Sequence, residues 1–203
     1  EDTGEIETRG KNLFKGYWNK PESTDRAFTR DGWFKTGDIG QMDSEGFLSI
    51  TGRIKELIIT SGGKNIAPNR IEAIVARDGF IEQIAAVGEG QKCVAALVVP
   101  AFEKLENWAK SQGLKFDCRE SLVRLPEVLQ LFRQRIQEQS SGLGKHEMVK
   151  AFVLLPEMFS EATGTMTPTL KLKRHAIARQ YELLIAQMYS RFEEAGLHLN
   201  KEL

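Results

Sequence analysis

Glycine spacing most limits what the first fifty residues of this chain can fold into. A glycine or a proline recurs every few residues, so only short extended pieces such as Glu5–Thr8 and Phe47–Thr51 fit between the breaks. The residues that interrupt the segment are Gly4, Gly10, Gly16, Pro21, Gly32, Gly37, Gly40 and Gly46. This pattern is typical of a small antiparallel sheet or barrel connected by long loops.

The pattern changes after Gly52–Lys55, which interrupts the extended structure before a further strand predicted over Glu56–Thr60. Pro68 is placed as the first residue of a helix, because the N–H that proline lacks has no intrahelical partner in a first turn. The run Lys92–Val99 is almost wholly apolar, which predicts a central strand buried on both faces. We therefore expect the second part of the chain to have a core of its own.

Helical spacing dominates the rest of the chain. Residues 101–145 have a helical pattern with Pro126 placed as a helix start, and Met148–Leu155 returns to strand. A C-terminal amphipathic helix is predicted from apolar residues at helical spacing, namely Ile177, Tyr181, Leu184, Ile185, Met188 and Phe192. The expected fold class is α+β: a small β-rich, barrel-like piece over residues 1–53, then a domain over residues 54–203 with a small mixed sheet packed by helices.

Composition excludes several classes of function. The chain has 28 Lys+Arg and 28 Asp+Glu, so it lacks the positive field expected of a nucleic-acid-binding protein. No apolar run approaches the ~18 residues of a membrane span. Cys93 and Cys118 form neither a disulfide framework nor a metal motif, and we predict no metal site in the chain. The expected setting is cytoplasmic, with attachment at a membrane surface left open.

Three short motifs admit both a chemical and a structural interpretation. Asp38 follows a glycine on a predicted tight loop, so its carboxylate could accept hydrogen bonds from a ribose diol, although Thr-Gly-Asp is also an ordinary turn. Arg53 and Lys55 could face a phosphate or could be solvated turn residues. Gly62 and Gly63 could let another backbone or a slender ligand approach, or could form a hairpin turn. Taken singly, each motif favours the structural interpretation.

Together with their neighbours, these motifs resemble a known family. The segments that carry the resemblance are GEI (4–6), GYWNKPEST (16–24), DGWFKTGD (31–38), GRIKE (52–56) and GGKNIAP (62–68). Their order and spacing are similar to those of the acyl-adenylate-forming superfamily. VKAFVLLPE at residues 149–157 and MTPTLKLKR at residues 166–174 look most like its long-chain fatty-acyl-CoA synthetases. The resemblance therefore covers nearly the whole chain.

The resemblance implies a role for each of the short motifs. Asp38 would bind the ribose hydroxyls of ATP or of the acyl-adenylate, and Arg53 would contact the ribose or phosphate of the same nucleotide. Lys55 would be the hinge between a large N-terminal domain and a mobile C-terminal domain. The glycine pair, with Lys64 beside it, would line the path of the pantetheine arm of CoA during thioester formation.

The motif TLKLKR at residues 169–174 supplies the predicted catalytic group. In the family, a lysine that follows a glycine here reaches the active site during adenylation; in this chain Leu170 takes the place of that glycine. Lys171 and Lys173 are both candidates, and Lys171 is favoured because Arg174 then matches the family's following arginine. An ammonium can hold carboxylate and phosphate oxygens together and offset the charge that develops in the transition state.

The implied function is that of the C-terminal third of an ATP-dependent long-chain fatty acid–CoA ligase. Fatty acid and ATP would form acyl-AMP, and CoA would then displace AMP. ATP and Mg²⁺ would be bound mostly by an N-terminal domain outside this chain, so the chain alone is expected to be inactive. Two alternatives stay open: a related ligase that passes the acyl group to a carrier-protein thiol, and a non-catalytic interaction module of the same fold. No nucleic-acid partner is expected.

Overall fold

The computed structural model describes the backbone of residues 4–199 and the side chains of residues 4–194. Packing divides the chain into two compact units, Glu1–Leu57 and Ile58–Leu203. The α+β class expected from the sequence is confirmed. The expected domain boundary after residue 53 and the mobility of the second domain stay predictions.

The first unit contains an open antiparallel sheet. Its elements are β1 (Glu5–Thr8), α1 (Pro21–Ala27), β2 (Phe34–Met42), β3 (Leu48–Arg53) and a 3₁₀ turn (Ile54–Glu56). The described strands lie in the order β1-β2-β3, and because three strands are too few to close, the barrel-like piece is an open sheet. The glycine pattern gives no indication of the seven-residue helix α1, which begins with proline at its first position.

Aromatic rings hold the first unit together. Phe14, Phe28 and Phe34 pack with ring centroids 5.7, 5.2 and 5.4 Å apart, so each ring contacts the other two. Apolar side chains of the β2–β3 hairpin are left in solvent, and Phe47 and Ile50 are 66% and 67% exposed. Several exposed apolar groups on one hairpin are typical of a surface that another part of a protein covers.

The second unit has a mixed sheet covered by helices. Its elements are β4 (Ile58–Ile59), β5 (Asn65–Ile66), α2 (Pro68–Val75), β6 (Ile81–Val87), β7 (Ala95–Pro100), α3 (Phe102–Ser111), α4 (Arg119–Leu122), α5 (Pro126–Ser140), β8 (Ala151–Leu154), α6 (Arg174–Gln180) and α7 (Glu182–Leu199). Strand β4 pairs with β5, and a separate sheet has the order β6-β7-β8, with β6 antiparallel and β8 parallel to β7. All of β7 is buried, as the apolar run predicts for a central strand.

The core of the second unit forms between this sheet and three helices. Ile71 of α2, Leu105 of α3 and Phe132 of α5 are fully buried in one cluster with residues 96–99 of β7. Each such side chain contributes about 1.5–3 kcal/mol through its removal from water. Helices α2 and α5 begin at Pro68 and Pro126, as predicted, because proline fixes the backbone of a first turn at no hydrogen-bond cost.

The predicted C-terminal helix is two helices, separated at Tyr181. The Tyr181 N–H donates to the carbonyl of Ile177 at 3.0 Å, but its backbone leaves the helical region with φ −106°. Its ring packs edge-on against Phe159, with centroids 6.1 Å apart. The apolar spacing continues across the break, which is why the sequence predicts one helix. The strands predicted over Glu56–Thr60 and Met148–Leu155 are present but shorter, as β4 and β8.

Candidate functional site

Asp38 and Arg53, the predicted nucleotide-binding residues, lie side by side in the first unit. They are cross-strand neighbours of β2 and β3. Nε of Arg53 donates a hydrogen bond to Oδ1 of Asp38 at 2.8 Å. Within the described residues, neither Oδ2 of Asp38 nor the terminal amino groups of Arg53 make a hydrogen bond. The pair therefore offers an acceptor and charged donors in one place, which are the groups that a ribose diol and a phosphate need.

A β-bulge positions Asp38. The register of β1 against β2 shifts between Glu5 and Glu7, and Gly37, with φ +73°, lies in the extra length of β2. The Gly37 N–H donates to the carboxylate of Glu5 at 3.0 Å, and the Asp38 N–H donates to the Thr36 hydroxyl at 3.0 Å. Thr-Gly-Asp is thus a bulge within a strand rather than the tight loop that the sequence suggests.

Lys55 lies in the 3₁₀ turn after β3, and its side chain is exposed. The turn is closed by the Leu57 N–H, which donates to the carbonyl of Ile54 at 3.3 Å. The sequence predicts this interruption of the extended structure correctly. A hinge role for Lys55 stays a prediction.

Gly62, Gly63 and Lys64 form an exposed hairpin turn between β4 and β5. The Thr60 N–H donates to the Lys64 carbonyl at 3.1 Å, and the Gly63 N–H donates to the Thr60 carbonyl at 2.8 Å. The Lys64 N–H donates to the Thr60 hydroxyl at 3.1 Å. Gly63 has φ +72°, a conformation that favours glycine. Gly62 has no such φ, and a Cβ added to it would meet no described atom within 4 Å. Packing within the chain therefore does not explain glycine at this position.

Lys171 lies on a second hairpin with the same hydrogen bonds. The Thr167 N–H donates to the Lys171 carbonyl at 2.8 Å, and the Leu170 N–H donates to the Thr167 carbonyl at 2.9 Å. The Lys171 N–H donates to the Thr167 hydroxyl at 3.0 Å. In both hairpins a threonine begins the turn, a left-handed residue precedes the last position and an exposed lysine occupies it. The two turns thus present Lys64 and Lys171 in the same way.

Leu170 has the backbone conformation of the glycine whose place it takes. Its φ is +59°, and its side chain is 77% exposed. Three-residue hairpin loops usually place glycine at such a position, because a Cβ there costs about 1–2 kcal/mol. The match favours the register in which Lys171, and not Lys173, corresponds to the family's lysine.

Arg174, immediately after the hairpin, is bound to two other elements. It donates to both carboxylate oxygens of Glu72, at 2.7 and 2.8 Å, and to Oδ1 of Asn69. Glu72 also accepts a hydrogen bond from the N–H of Ala86 at 2.8 Å. These contacts fix the start of α6 to α2 and β6. No local pattern in the sequence predicts these contacts, because Glu72 and Arg174 are 102 positions apart.

The other end of the hairpin is also fixed. Thr165 is fully buried, and its hydroxyl accepts the N–H of Ser160 at 2.9 Å. The Thr165 carbonyl accepts the N–H of Lys173 at 2.8 Å, and Met166 packs in the core. Lys171 therefore projects from a turn whose base is held on both sides. This threonine was another residue that sequence reasoning missed.

The structure brings Asp38 and Arg53 together but does not join the two hairpins. No described hydrogen bond or ion pair connects the Gly62–Lys64 turn with the Lys171 turn. Across residues 4–194, no group of three or more His, Cys, Asp or Glu side chains could hold a metal ion. None of the helices in the described part of the chain combines the length and apolarity needed to cross a bilayer.

Proteins named as long-chain-fatty-acid--CoA ligases match nearly the whole chain. The long-chain-fatty-acid--CoA ligase FadD15 of Mycobacterium tuberculosis is 37% identical over 194 residues, which are 94% of this chain and 32% of that protein. The human long-chain-fatty-acid--CoA ligase 1 is 36% identical over 193 residues, 94% of this chain and 28% of that protein. The chain thus spans about a third of the length of these relatives.

A solved structure and a family profile agree with these relatives. The crystal structure of the adenylation domain of a carboxylate reductase from Mycobacterium chelonae matches with a TM-score of 0.74 and 25% identity, covering 92% of this chain and 28% of that one. The profile of the AMP-binding enzyme C-terminal domain matches residues 55–193, well over half of the sequence. The resemblance inferred from the motifs is confirmed, and the chain belongs to the AMP-binding enzyme C-terminal domain family.

Proposed function

We propose that this chain is the C-terminal part of an ATP-dependent long-chain fatty acid–CoA ligase. A fatty carboxylate attacks the α-phosphorus of ATP to give acyl-AMP and pyrophosphate, and the thiol of CoA then displaces AMP. The names of relatives at 36–37% identity support both the substrate class and the acceptor. ATP and Mg²⁺ bind mostly outside this chain, which alone is inactive. Two free cysteines support a cytoplasmic location, with membrane-surface attachment left open.

The proposal depends on one observation, the fixed backbone of the hairpin that bears Lys171. Its turn is closed by three hydrogen bonds, and the base of the turn is held by Arg174 on one side and Thr165 on the other. An exposed ammonium on a fixed backbone can bridge a carboxylate and a phosphate that would otherwise repel each other. Lys171 is therefore the proposed catalytic residue of acyl-AMP formation.

The Asp38–Arg53 pair supports a nucleotide site. The carboxylate has a free oxygen for the ribose hydroxyls, while the guanidinium has free amino groups for the ribose or phosphate oxygens. Their 2.8 Å contact holds the carboxylate and the guanidinium next to each other before a nucleotide binds. Each residue is thus assigned the role that the family resemblance implies.

The Gly62–Lys64 turn supports the second half-reaction. Gly62 leaves open space where a side chain would project, and the turn is exposed. A slender pantetheine arm can pass close to such a backbone. We assign this turn to CoA binding and Lys171 to adenylation, with rotation about Lys55 exchanging the two hairpins at one reaction centre.

The test is to measure the two half-reactions separately in the complete protein that contains this chain. Lys171→Ala should slow acyl-AMP formation about a hundred- to a thousandfold, because it removes one preorganised charged donor. Thioester formation from supplied acyl-AMP should change little, since the Lys171 hairpin acts only in the first step. Lys173→Ala is the matched control, with the same charge removed two positions away.

The Lys173→Ala control also tests which of the two lysines corresponds to the family's lysine. A selective adenylation defect in Lys173→Ala, with Lys171→Ala unaffected, would assign the role to the other lysine. If neither variant is impaired, the basic hairpin is a solvated loop and the catalytic assignment fails.

A further inference from the structure

The second unit contains a concave groove that includes none of the predicted site residues. Its volume is ≈ 580 Å³, within the range of about 300–1,000 Å³ typical of small-molecule sites. One face of α5, one face of α7 and the extended segment 148–153 line it. Residues 149–153 of this segment belong to the VKAFVLLPE motif, so the first half of the motif lines the groove.

The walls of the groove are mainly apolar. Leu129 and Ile136 are seven positions apart on one face of α5, and Leu184 and Met188 are four apart on one face of α7. Phe152 of β8 completes the apolar lining. Leu129, Phe152 and Leu184 remain partly accessible to solvent. The described chain therefore leaves part of the apolar lining of the groove accessible to solvent.

Each wall contributes one cation. Arg133 comes from α5, Lys150 from the extended segment and Arg191 from α7. The seven ion pairs of the described residues use none of these three, and no described acidic side chain lines the groove. Glu193, near the end of α7, is engaged instead with Lys92 at 2.8 Å. Three cations without an ion pair thus lie around the apolar lining of the groove.

We propose that this groove binds a single long-chain carboxylate, separately from the active site. The alkyl chain lies against the apolar walls, and the carboxylate is held among Arg133, Lys150 and Arg191. A carboxylate brings the negative charge that no described side chain supplies to the groove, and an alkyl tail removes the exposed apolar lining from water. The binding can be tested without any enzymatic activity, because it is measured on this chain by itself.

The shape of the groove favours a monomeric ligand over a membrane surface. Membrane association needs apolar side chains that protrude into the interface, whereas these residues line a concavity between two helices. A nucleotide-like anion such as CoA would use the cations but would leave most of the apolar lining without a partner. A long-chain carboxylate is the ligand class that fits both features.

The experiment uses cis-parinaric acid, a fluorescent long-chain carboxylate, titrated into the 203-residue chain. Saturable binding is expected, with displacement by hexadecanoate and much weaker displacement by octanoate or by the uncharged methyl ester of hexadecanoate. Arg133→Glu combined with Arg191→Glu should weaken binding by about tenfold or more, since each reversal replaces attraction by repulsion. Arg124→Glu combined with Arg179→Glu, at exposed positions outside the groove, is the matched control.

A second variant tests the proposal by placing a large side chain in the groove. Gln137→Trp should fill the groove from its exposed rim without altering the core, so binding should be lost while the thermal unfolding curve is retained. Equal affinity in the control and the groove variants, equal displacement by the methyl ester, or displacement of the probe by CoA would each overturn the proposal. Co-sedimentation with anionic vesicles without binding of monomeric probe would overturn it in favour of a membrane surface.

Discussion

At the scale of single residues, Leu170 carries a conformational cost at the tip of the proposed catalytic hairpin. Its φ of +59° is that of Gly63 in the equivalent position of the other hairpin, where φ is +72°. Leu170→Gly should raise the free energy of unfolding by roughly 1 kcal/mol, because relief of left-handed strain outweighs the added freedom of the unfolded chain. Urea unfolding of the 203-residue chain measures the change.

Leu170→Ala separates strain from exposure. Alanine keeps the Cβ and its strain but removes the apolar side chain, which is 77% exposed. No gain in stability is expected from it. If alanine stabilises the chain as much as glycine does, then exposed apolar surface and not backbone strain is the cause.

The sequence identifies candidate residues better than their contacts. Asp38 and Arg53 are recognised from short motifs, but their 2.8 Å contact depends on a bulge that no local pattern reveals. Glu72 carries no motif, and it lies beside Arg174 because the fold brings α2 next to the first residue of α6. A motif gives the residue types at neighbouring positions of the chain, whereas a contact depends on how distant segments pack.

At the scale of elements, α7 is attached to the sheet by Tyr189. Its hydroxyl donates to the carbonyls of Val87 and Cys93, at 3.2 and 2.9 Å. Burial raises the pKa of Tyr189 above its ordinary value of 10.0. Because the folded pKa lies above the unfolded one, the stabilisation is complete below about pH 10 and is lost as pH rises through the folded pKa.

Tyr189→Phe tests this attachment through its pH dependence. The variant keeps the ring but loses the hydroxyl, so it should be about 1 kcal/mol less stable than the parent chain near neutral pH. The difference should shrink as pH rises above about 10. Unfolding by urea at several pH values measures this difference, in a Cys93→Ala background that removes a half-buried thiol whose pKa is also raised by burial. If the free energies of unfolding of the parent chain and of Tyr189→Phe stay parallel as pH rises, the pH-dependent loss of stability does not come from Tyr189.

Elements with a strong local signal are predicted well, and breaks between elements are not. The apolar run predicts β7, and proline predicts the starts of α2 and α5. The break at Tyr181 is missed because apolar spacing continues through it, while Phe159 supplies a tertiary contact for its ring. Helix α1 is missed because glycines on either side suggest only turns. Of these cases, the break at Tyr181 is the one that a tertiary contact explains.

At the scale of the whole molecule, the two units differ in how completely they bury their own side chains. The second unit has a continuous core around β7, whereas Phe47 and Ile50 of the first unit are mostly in solvent. The large exposed hairpin surface is what a segment of a larger domain would show. This contrast supports the proposal that the first unit is part of a larger N-terminal domain.

Alternation between half-reactions is tested most directly at Gly62. Gly62→Trp in the complete protein should block thioester formation while acyl-AMP formation remains measurable, because bulk obstructs a pantetheine path used in only one step. Gly62 suits this test better than Gly63, whose φ of +72° would add backbone strain to any substitution. Gly142→Trp is the matched control, since Gly142 is also exposed and a Cβ there would meet no described atom within 4 Å. Measured with supplied acyl-AMP and CoA, the Gly62 variant should lose at least about a hundredfold in rate, the loss that a misplacement of about 1 Å can cause. Equal loss in both half-reactions would mean that the turn is structural, and unchanged thioester formation would remove CoA from this hairpin.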